Sequence, residues 1–441
     1  MAGRKARIRV PTTEYQSSVD VIPALVAAGM SNTEATAALS RNSARLRRSL
    51  GLEEGDGPII VDGESVKFKN LAGVIRIAPG IELDVAPKFL GHAYAGWRED
   101  LLAISNYTQR GRLSLQHVRA QAGGPGDLAS VIGRTFISEF WQHQRKPLRL
   151  YRQQSWRDFS LDGELEVDEL SEQSSEGLPQ RAVVLDRRNA YNALLAQAAD
   201  RLIADANDGA VRSQLHRVRS LIGPQSTSPA RSLRPVPARH RQWEGLIELS
   251  KRIVSGADLT LQADRHEAPG FIVRTWEAWE RLTFLALRNR FGAGSVTAQQ
   301  EHSWGSRNGE TIMVKPDVTI AQGVHSPRLL DAKYKTRLDR KGQRIAQTDL
   351  MEASAFMAAC DSDRIVLLYP RSSASGPPTT CGSARVFDCV TLIPGRQVIA
   401  VEVEVRGFSA RNEHRRFAER LALATDKVFS MITPAVGTQL S

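Results

Sequence analysis

Between Lys315 and Lys335 the chain reads Lys-Pro-Asp-Val-Thr-Ile, then a short polar break, then Leu-Leu-Asp-Ala-Lys-Tyr-Lys. Alternate side chains of a strand share a face, so Asp331 and Lys333 project together while Leu330, Ala332 and Tyr334 point inward. One strand earlier, Asp317 shares a face with Lys315 and Thr319, and Val314, Val318 and Ile320 form the apolar face opposite. A hairpin then brings Asp317 beside Asp331 and Lys333. Two carboxylates and an ammonium converge, and the chemistry they suit is metal-assisted hydrolysis of a phosphodiester. Hard carboxylate oxygens hold Mg²⁺, which uses only one or two protein carboxylates and keeps several waters. The cation acidifies an attacking water and stabilises charge at phosphorus, while the lysine orients that water or neutralises the developing charge. The competing reading is an ordinary charged strand edge, because a D-x-K triplet is short.

The elements that must position these groups are legible on both sides. From Phe271 to Leu287, Trp276, Glu280, Phe284 and Leu287 follow one helical stripe. Glu280 therefore lies in an apolar face, where it titrates, pairs with a cation, or joins Asp317 and Asp331 on the metal. Glu277 has Arg281 four residues on and reads as a surface pair. Asp349 to Ala359 contains neither Gly nor Pro and predicts a largely buried helix with Glu352 as its conspicuous polar residue. Ile365 to Tyr369, closed by Pro370, predicts a strand covered on both faces. The order is helix, strands, helix, strand.

This order, with Pro316-Asp317 and Asp331-Ala332-Lys333, resembles the PD-(D/E)XK nuclease superfamily, and more narrowly the McrC family. Trp279-Glu280 matches that family's aromatic-Glu pair, and Asp331 to Lys335 its DAKYK. Its Asp-Leu-x-Gln-x-x-x-Tyr helix is matched at Asp349 and Leu350, but Glu352 stands for the usual Gln and Phe356 for the usual Tyr. The likeness extends to LAGVIRIAPGIELDVAPK at Leu71 to Lys88, to Tyr151 with Leu161-Asp162-Gly163, and to Asp186 to Leu202 with Asn192 in the family's Asn position.

A chain of 441 residues with 41% hydrophobic content holds two to four domains. The fold class expected is multidomain α+β: a helical and β-rich, barrel-like N-terminal region, a helical middle region, and a C-terminal restriction-endonuclease-like domain with a mixed central sheet. Residues 1–50 read as a loose basic arm to about residue 18 and then short helices, with Ser31, Asn32 and Glu34 as capping signals. Residues 51–150 form a β-rich and helical domain, with strand-like segments at Ser65 to Leu71 and Gly73 to Ile77 and helices at Ala95 to Gln109 and Leu128 to His143. Residues 151–264 carry a hairpin and helices, interrupted by a Pro- and Ser-rich loop at 223–237 and resumed from Gln242 to Ile253. The nuclease domain occupies 265–441, closing with strands at Ala384 to Asp388 and Val398 to Val405, a helix from Asn412 to Met431, and an exposed loop at Ser372 to Pro378.

A net charge of +11 and a pI near 9.8 favour a polyanionic partner. Arg41, Arg45, Arg47 and Arg48, and the series Arg212, Arg217, Arg219, Arg231, Arg234, Arg239 and Arg241, carry much of it, although such runs are as readily solvated helix faces. Cys360, Cys381 and Cys389 are odd in number and lack metal-ligand spacing, His143, His240 and His302 show no zinc pattern, and no leader or apolar span is evident, so a cytoplasmic protein is expected. Gly123-Gly124-Pro125-Gly126 lacks the Lys-Ser/Thr ending of a phosphate loop. Energy must then come from outside the chain, and the resemblance implies an McrB-like AAA+ GTPase hexamer engaged through the N-terminal region. Arg76 and Lys88 lie in the matching segment there, and a protective charge on a sheet edge explains them equally well.

The resemblance thus implies a DNA endonuclease subunit in which Asp317, Asp331 and Glu280 hold Mg²⁺, with Mn²⁺ able to substitute, and Lys333 serves the reacting water or the charge. A non-catalytic adaptor of the motor and a stand-alone repair nuclease are the alternatives.

Overall fold

The computed structural model describes residues 8–50, 52, 57–78, 81–110, 128–170, 175–206, 208–224, 233–255, 272–322, 325–334, 337–339, 342–393, 395–431 and 435–440. Two compact units emerge, one of Met1–Pro125 with Thr260–Ser441 and one of Gly126–Leu259.

In the first unit, Ile8–Thr13 forms a strand paired in parallel with Ile81–Ala86, which pairs antiparallel with Ala72–Ala78, and Ile272–Val273 closes the far edge. Residues 8–13 are therefore built into a sheet, where a loose basic arm was expected. The reason is long-range: Val10 turns into a core with Leu25, Leu39, Phe68, Ile75 and Leu83, and the strand finds its hydrogen bonds on residues some seventy positions away. A second, three-stranded sheet is made of Ser17–Ser18, Ser65–Phe68 and Ile59–Asp62. The helices Val21–Ala27 and Asn32–Leu50 pack on the same core. The second begins at a capping box: Ser31 Oγ accepts from the Glu34 N–H at 3.2 Å while the Ser31 N–H donates back to Glu34 Oε2 at 2.8 Å.

The same unit contains a six-stranded mixed sheet in the order Val296–Ala298, Val318–Gln322, His325–Ala332, Arg364–Pro370, Gln397–Val403, Ala384–Thr391. The central three run parallel, and the outer pairings are antiparallel. Arg364–Pro370 lies in the middle, and its run from Ile365 to Pro370 is buried throughout, as a continuous apolar run closed by proline predicts. The helix Gln347–Ala359 buries Ala353, Phe356 and Met357 against this sheet, with Leu350 partly buried beside them. Met351 stays 63% exposed, so this helix is half-buried where a largely buried one was expected. Thr275–Phe291 and Glu413–Ser430 are further helices of the unit. Gly382 holds a turn at φ +81°, where an added Cβ would meet Phe417 Cα at 2.9 Å, so glycine alone lets that turn approach the last helix.

The second unit packs the helices Leu128–His143, Ala190–Asp205, Gly209–Ile222 and Glu244–Ser255 together. A long hairpin pairs Leu150–Asp158 with Leu178–Asp186, and Glu164–Leu165 adds a short third strand. Asn189 caps the Ala190 helix by accepting from the Asn192 N–H at 3.0 Å. The Asn192 side chain itself is buried and donates to the carbonyls of Leu148 and Arg187 at 2.8 and 2.7 Å, tying the helix start to the hairpin base. Arg219 pairs with Asp200 at 3.0 Å, and Arg217 lies over the Trp141 ring. Gly123 to Gly126 and residues 225–232 of the Pro- and Ser-rich loop lie outside the described residues. All three cysteines are free thiols, and among the described residues no helix is long and apolar enough to cross a membrane.

Candidate active site

The run from Val314 to Ile320 was expected to be one strand. Instead Glu310–Val314 belongs to a separate two-stranded ribbon with His302–Arg307, and a new strand starts at Val318. Pro316 supplies no N–H for a ladder, which makes it a natural break. Lys315 turns outward to pair with Glu301 at 2.7 Å and leaves the site.

Beyond the break the register is decisive. Val318 faces Leu330, Thr319 faces Leu329 and Ile320 faces Arg328 in antiparallel pairing, so Asp317, one residue earlier, falls opposite Asp331. Asp317 Oδ2 accepts the backbone N–H of Ala332 at 2.8 Å, which fixes its carboxyl at the end of the neighbouring strand. Asp331 is 3% exposed, and its Oδ2 lies 2.6 Å from Lys333 Nζ. The strand proper ends at Ala332, yet the Lys333 N–H still donates to the Leu368 carbonyl at 2.9 Å. Lys333 Nζ also reaches Glu352 Oε2 at 2.7 Å. The ammonium thus sits between a buried carboxylate and an exposed one.

Electrostatics follows from this crowding. Burial, then the charges of Asp331 and Glu280, push Asp317 from 3.8 up to about 8. Burial raises Glu280 too, and the Asp331 and Glu277 charges add to that, against a hydrogen bond from Gln299. For Lys333 burial alone would lower the pKa, but Asp331 and Glu352 outweigh it and raise it, so this amine stays an ammonium across the physiological range.

The stripe expected to carry Glu280 is met in part. In the helix Thr275–Phe291, Phe284 and Leu287 are buried, but Trp276 is 38% exposed and Glu280 half-buried, and Trp279 with Thr275, Ala278, Leu282 and Ala286 enters the core instead. Trp279, 1% exposed, donates its indole N–H to the Leu368 carbonyl at 3.0 Å, the same oxygen that receives the Lys333 N–H. One carbonyl therefore registers the helix carrying Glu280 against the strand end carrying Lys333. Trp279→Phe keeps an aromatic side chain but removes that donor and leaves a cavity where the larger indole stood, and we expect it to lower stability by roughly 2 to 4 kcal/mol in urea unfolding, with a smaller loss of any activity.

Glu280 itself is only partly buried and hydrogen-bonds to the Gln299 side chain. Among the described residues no three carboxylate, imidazole or thiolate groups stand ready to hold an ion together. The donor set on hand is the Asp317–Asp331 pair, with Glu280 held aside by Gln299. The pair fits Mg²⁺ on its chemistry: two hard carboxylates crowded enough to raise one pKa by burial and mutual repulsion, where a divalent charge would relieve both. Gln299 was not foreseen, and the local pattern around it carries no signal for it. Lys335 lies outside the described residues. Lys88, expected on a sheet edge or at a motor contact, stands with Nζ 4.3 Å from the centre of the Tyr334 ring.

The site is thus a carboxylate pair with an adjoining ammonium where two neighbouring strands of a mixed sheet end, an arrangement whose chemistry suits a hard cation. The chain belongs to the McrBC family, described as McrBC 5-methylcytosine restriction system component, which matches residues 66–370. In fold it is similar to a chain of the solved assembly of Thermococcus gammatolerans McrB AAA+ hexamers with bound McrC. The TM-score is 0.68 and the identity 15%, over 94% of this chain and 100% of that one. A second likeness, to the Thermococcus gammatolerans McrBC complex, has TM-score 0.50 and 14% identity, over 64% of this chain and 88% of that one. No curated protein matches the chain.

Proposed function

We propose that this chain is the metal-dependent DNA endonuclease subunit of a McrBC-type restriction system, with a PD-(D/E)XK site, acting in the cytoplasm and activated by an McrB-like AAA+ GTPase. The observation that carries the reading is the meeting of Asp317, Asp331 and Lys333 at one strand end. Asp317 and Asp331 hold Mg²⁺, or Mn²⁺ in its place, and Glu280, whose charge already acts on Asp317, is the third candidate ligand. When bound, the cation supplies Lewis-acid polarisation of the scissile phosphate and acidifies water. Lys333 remains protonated and so does not serve as a base; it donates hydrogen bonds to the water or to the phosphoryl oxygen that gains charge. Trp279 and the Leu368 carbonyl keep these groups in register. The net positive charge of +11 supports DNA as the partner, and the family and fold likeness support the hexameric motor.

The test is cleavage of a plasmid carrying 5-methylcytosine by the full chain, its AAA+ partner, GTP and Mg²⁺, with each component left out in turn. Cutting is expected only in the complete mixture and is expected to cease with EDTA. Undiminished cutting without the motor would point to a stand-alone nuclease. Stimulated GTP hydrolysis with no cutting under any condition would leave an adaptor.

A further inference from the structure

Glu14 is a residue that nothing in the local sequence singles out. It follows directly on the first strand and is 0% exposed. Its backbone N–H donates to the Ala86 carbonyl at 2.9 Å, which seats it in the N-terminal sheet. Its Oε2 accepts the Tyr334 hydroxyl at 2.6 Å, and its Oε1 accepts the Thr275 hydroxyl at 2.7 Å. Tyr334 is the residue after Lys333, and Thr275 is the first residue of the helix that carries Trp279 and Glu280. The Tyr334 ring is in turn packed edge-on against Phe89 and faced by the Lys88 ammonium.

A buried carboxyl is costly, and burial pushes this one up to about 7 in spite of both hydroxyl donors and Lys88. A threonine–tyrosine pair with an apolar neighbour would fill the same space without that cost. What the carboxyl adds is two directional hydrogen bonds, one to each flank of the site.

We propose that Glu14 is a positioning residue for DNA cleavage, clamping the strand end of Lys333 and the helix of Glu280 to the N-terminal sheet through Tyr334 and Thr275. The proposal rests on the nuclease reading above. Because a small misplacement of a charge-stabilising group costs rate more than binding, loss of the clamp acts on the cleavage step.

The experiment compares single-turnover cleavage of the methylated plasmid by the full chain with its AAA+ partner, GTP and Mg²⁺, for wild type, Glu14→Gln, Glu14→Ala and Tyr334→Phe, with Asp331→Ala as the uncut control. Tyr334→Phe removes one hydroxyl and keeps the ring, so it reports on the clamp even if Glu14→Ala fails to fold. Glutamine keeps one acceptor for one hydroxyl and turns its N–H₂ toward the other, so one of the two hydrogen bonds is lost or must reverse. The expected result is a rate lowered on the order of tenfold in Tyr334→Phe and Glu14→Gln and further in Glu14→Ala, with half-saturation for DNA unchanged. Rates equal to wild type in the folded variants, or losses confined to half-saturation, would overturn the clamp while leaving the nuclease reading intact. A wild type that does not cut, like Asp331→Ala, would overturn both.

Discussion

Asp317→Asn should give a protein that resists urea better than the wild type and cuts DNA on the order of a thousandfold more slowly. The stability half follows from linkage. Below about pH 4 the Asp317 carboxyl is protonated in the folded and unfolded chain alike. Between about 4 and 8 the unfolded chain has released that proton and the folded chain retains it, so the folded state binds more protons and stability falls as pH rises. Asparagine has no proton to lose and escapes this penalty. With metal chelated, the gain at pH 7 is on the order of 3 kcal/mol, and it shrinks as the pH approaches 4. The amide oxygen can still accept the Ala332 N–H, so the strand end keeps its tie. The activity half follows because the variant gives up one of two carboxylates that suit a hard cation. Adding Mg²⁺ should narrow the stability difference, since only the wild type gains strongly from the ion. Urea midpoints with EDTA and with Mg²⁺, beside cleavage rates, check both halves. A variant less stable than wild type in EDTA would overturn the raised carboxyl pKa, and one cutting at the wild-type rate would remove Asp317 from the metal set.

The juxtaposition of Asp317 and Asp331 was legible in the sequence because antiparallel pairing and strand alternation are local rules. The distance from Asp317 to the Ala332 N–H and the register through Val318 and Leu330 are what those rules require. The buried strand Arg364–Pro370 was equally plain, since a continuous apolar run leaves few alternatives. The helix face was harder. Of Trp276, Glu280, Phe284 and Leu287 the last two are buried and the first is not, and what brings Trp279 rather than Trp276 into the core is an indole N–H finding the Leu368 carbonyl. Such a partner lies 89 positions away and leaves no trace in periodicity. The strand Ile8–Thr13 and the Glu14 carboxyl escaped for the same reason, their partners being remote. Glu352 was visible as an odd polar residue on a helix, but only the fold brings it to Lys333.

That pairing sets the second large effect. Lys333→Met should cut on the order of a hundredfold more slowly, because it deletes a fixed donor aimed at developing charge. Its effect on stability should have the opposite sign from that of Asp317→Asn. Lys333 neutralises Asp331, which is 3% exposed, so its loss leaves a buried carboxylate with no cation beside it. Urea midpoints in EDTA should therefore fall for Lys333→Met and rise for Asp317→Asn, although both variants lose cleavage. Mg²⁺ should recover much of the stability of Lys333→Met, since both aspartates remain to hold the ion, without restoring the rate. Lys333→Arg keeps the charge but spreads it over a planar fork, and should recover stability more fully than cleavage. If Lys333→Met cut within threefold of wild type, the ammonium would be a structural counter-ion to Asp331 and Glu352 alone. The reacting water would then have to be oriented by some other group, a division of labour that the crossed signs of the two stability effects would expose.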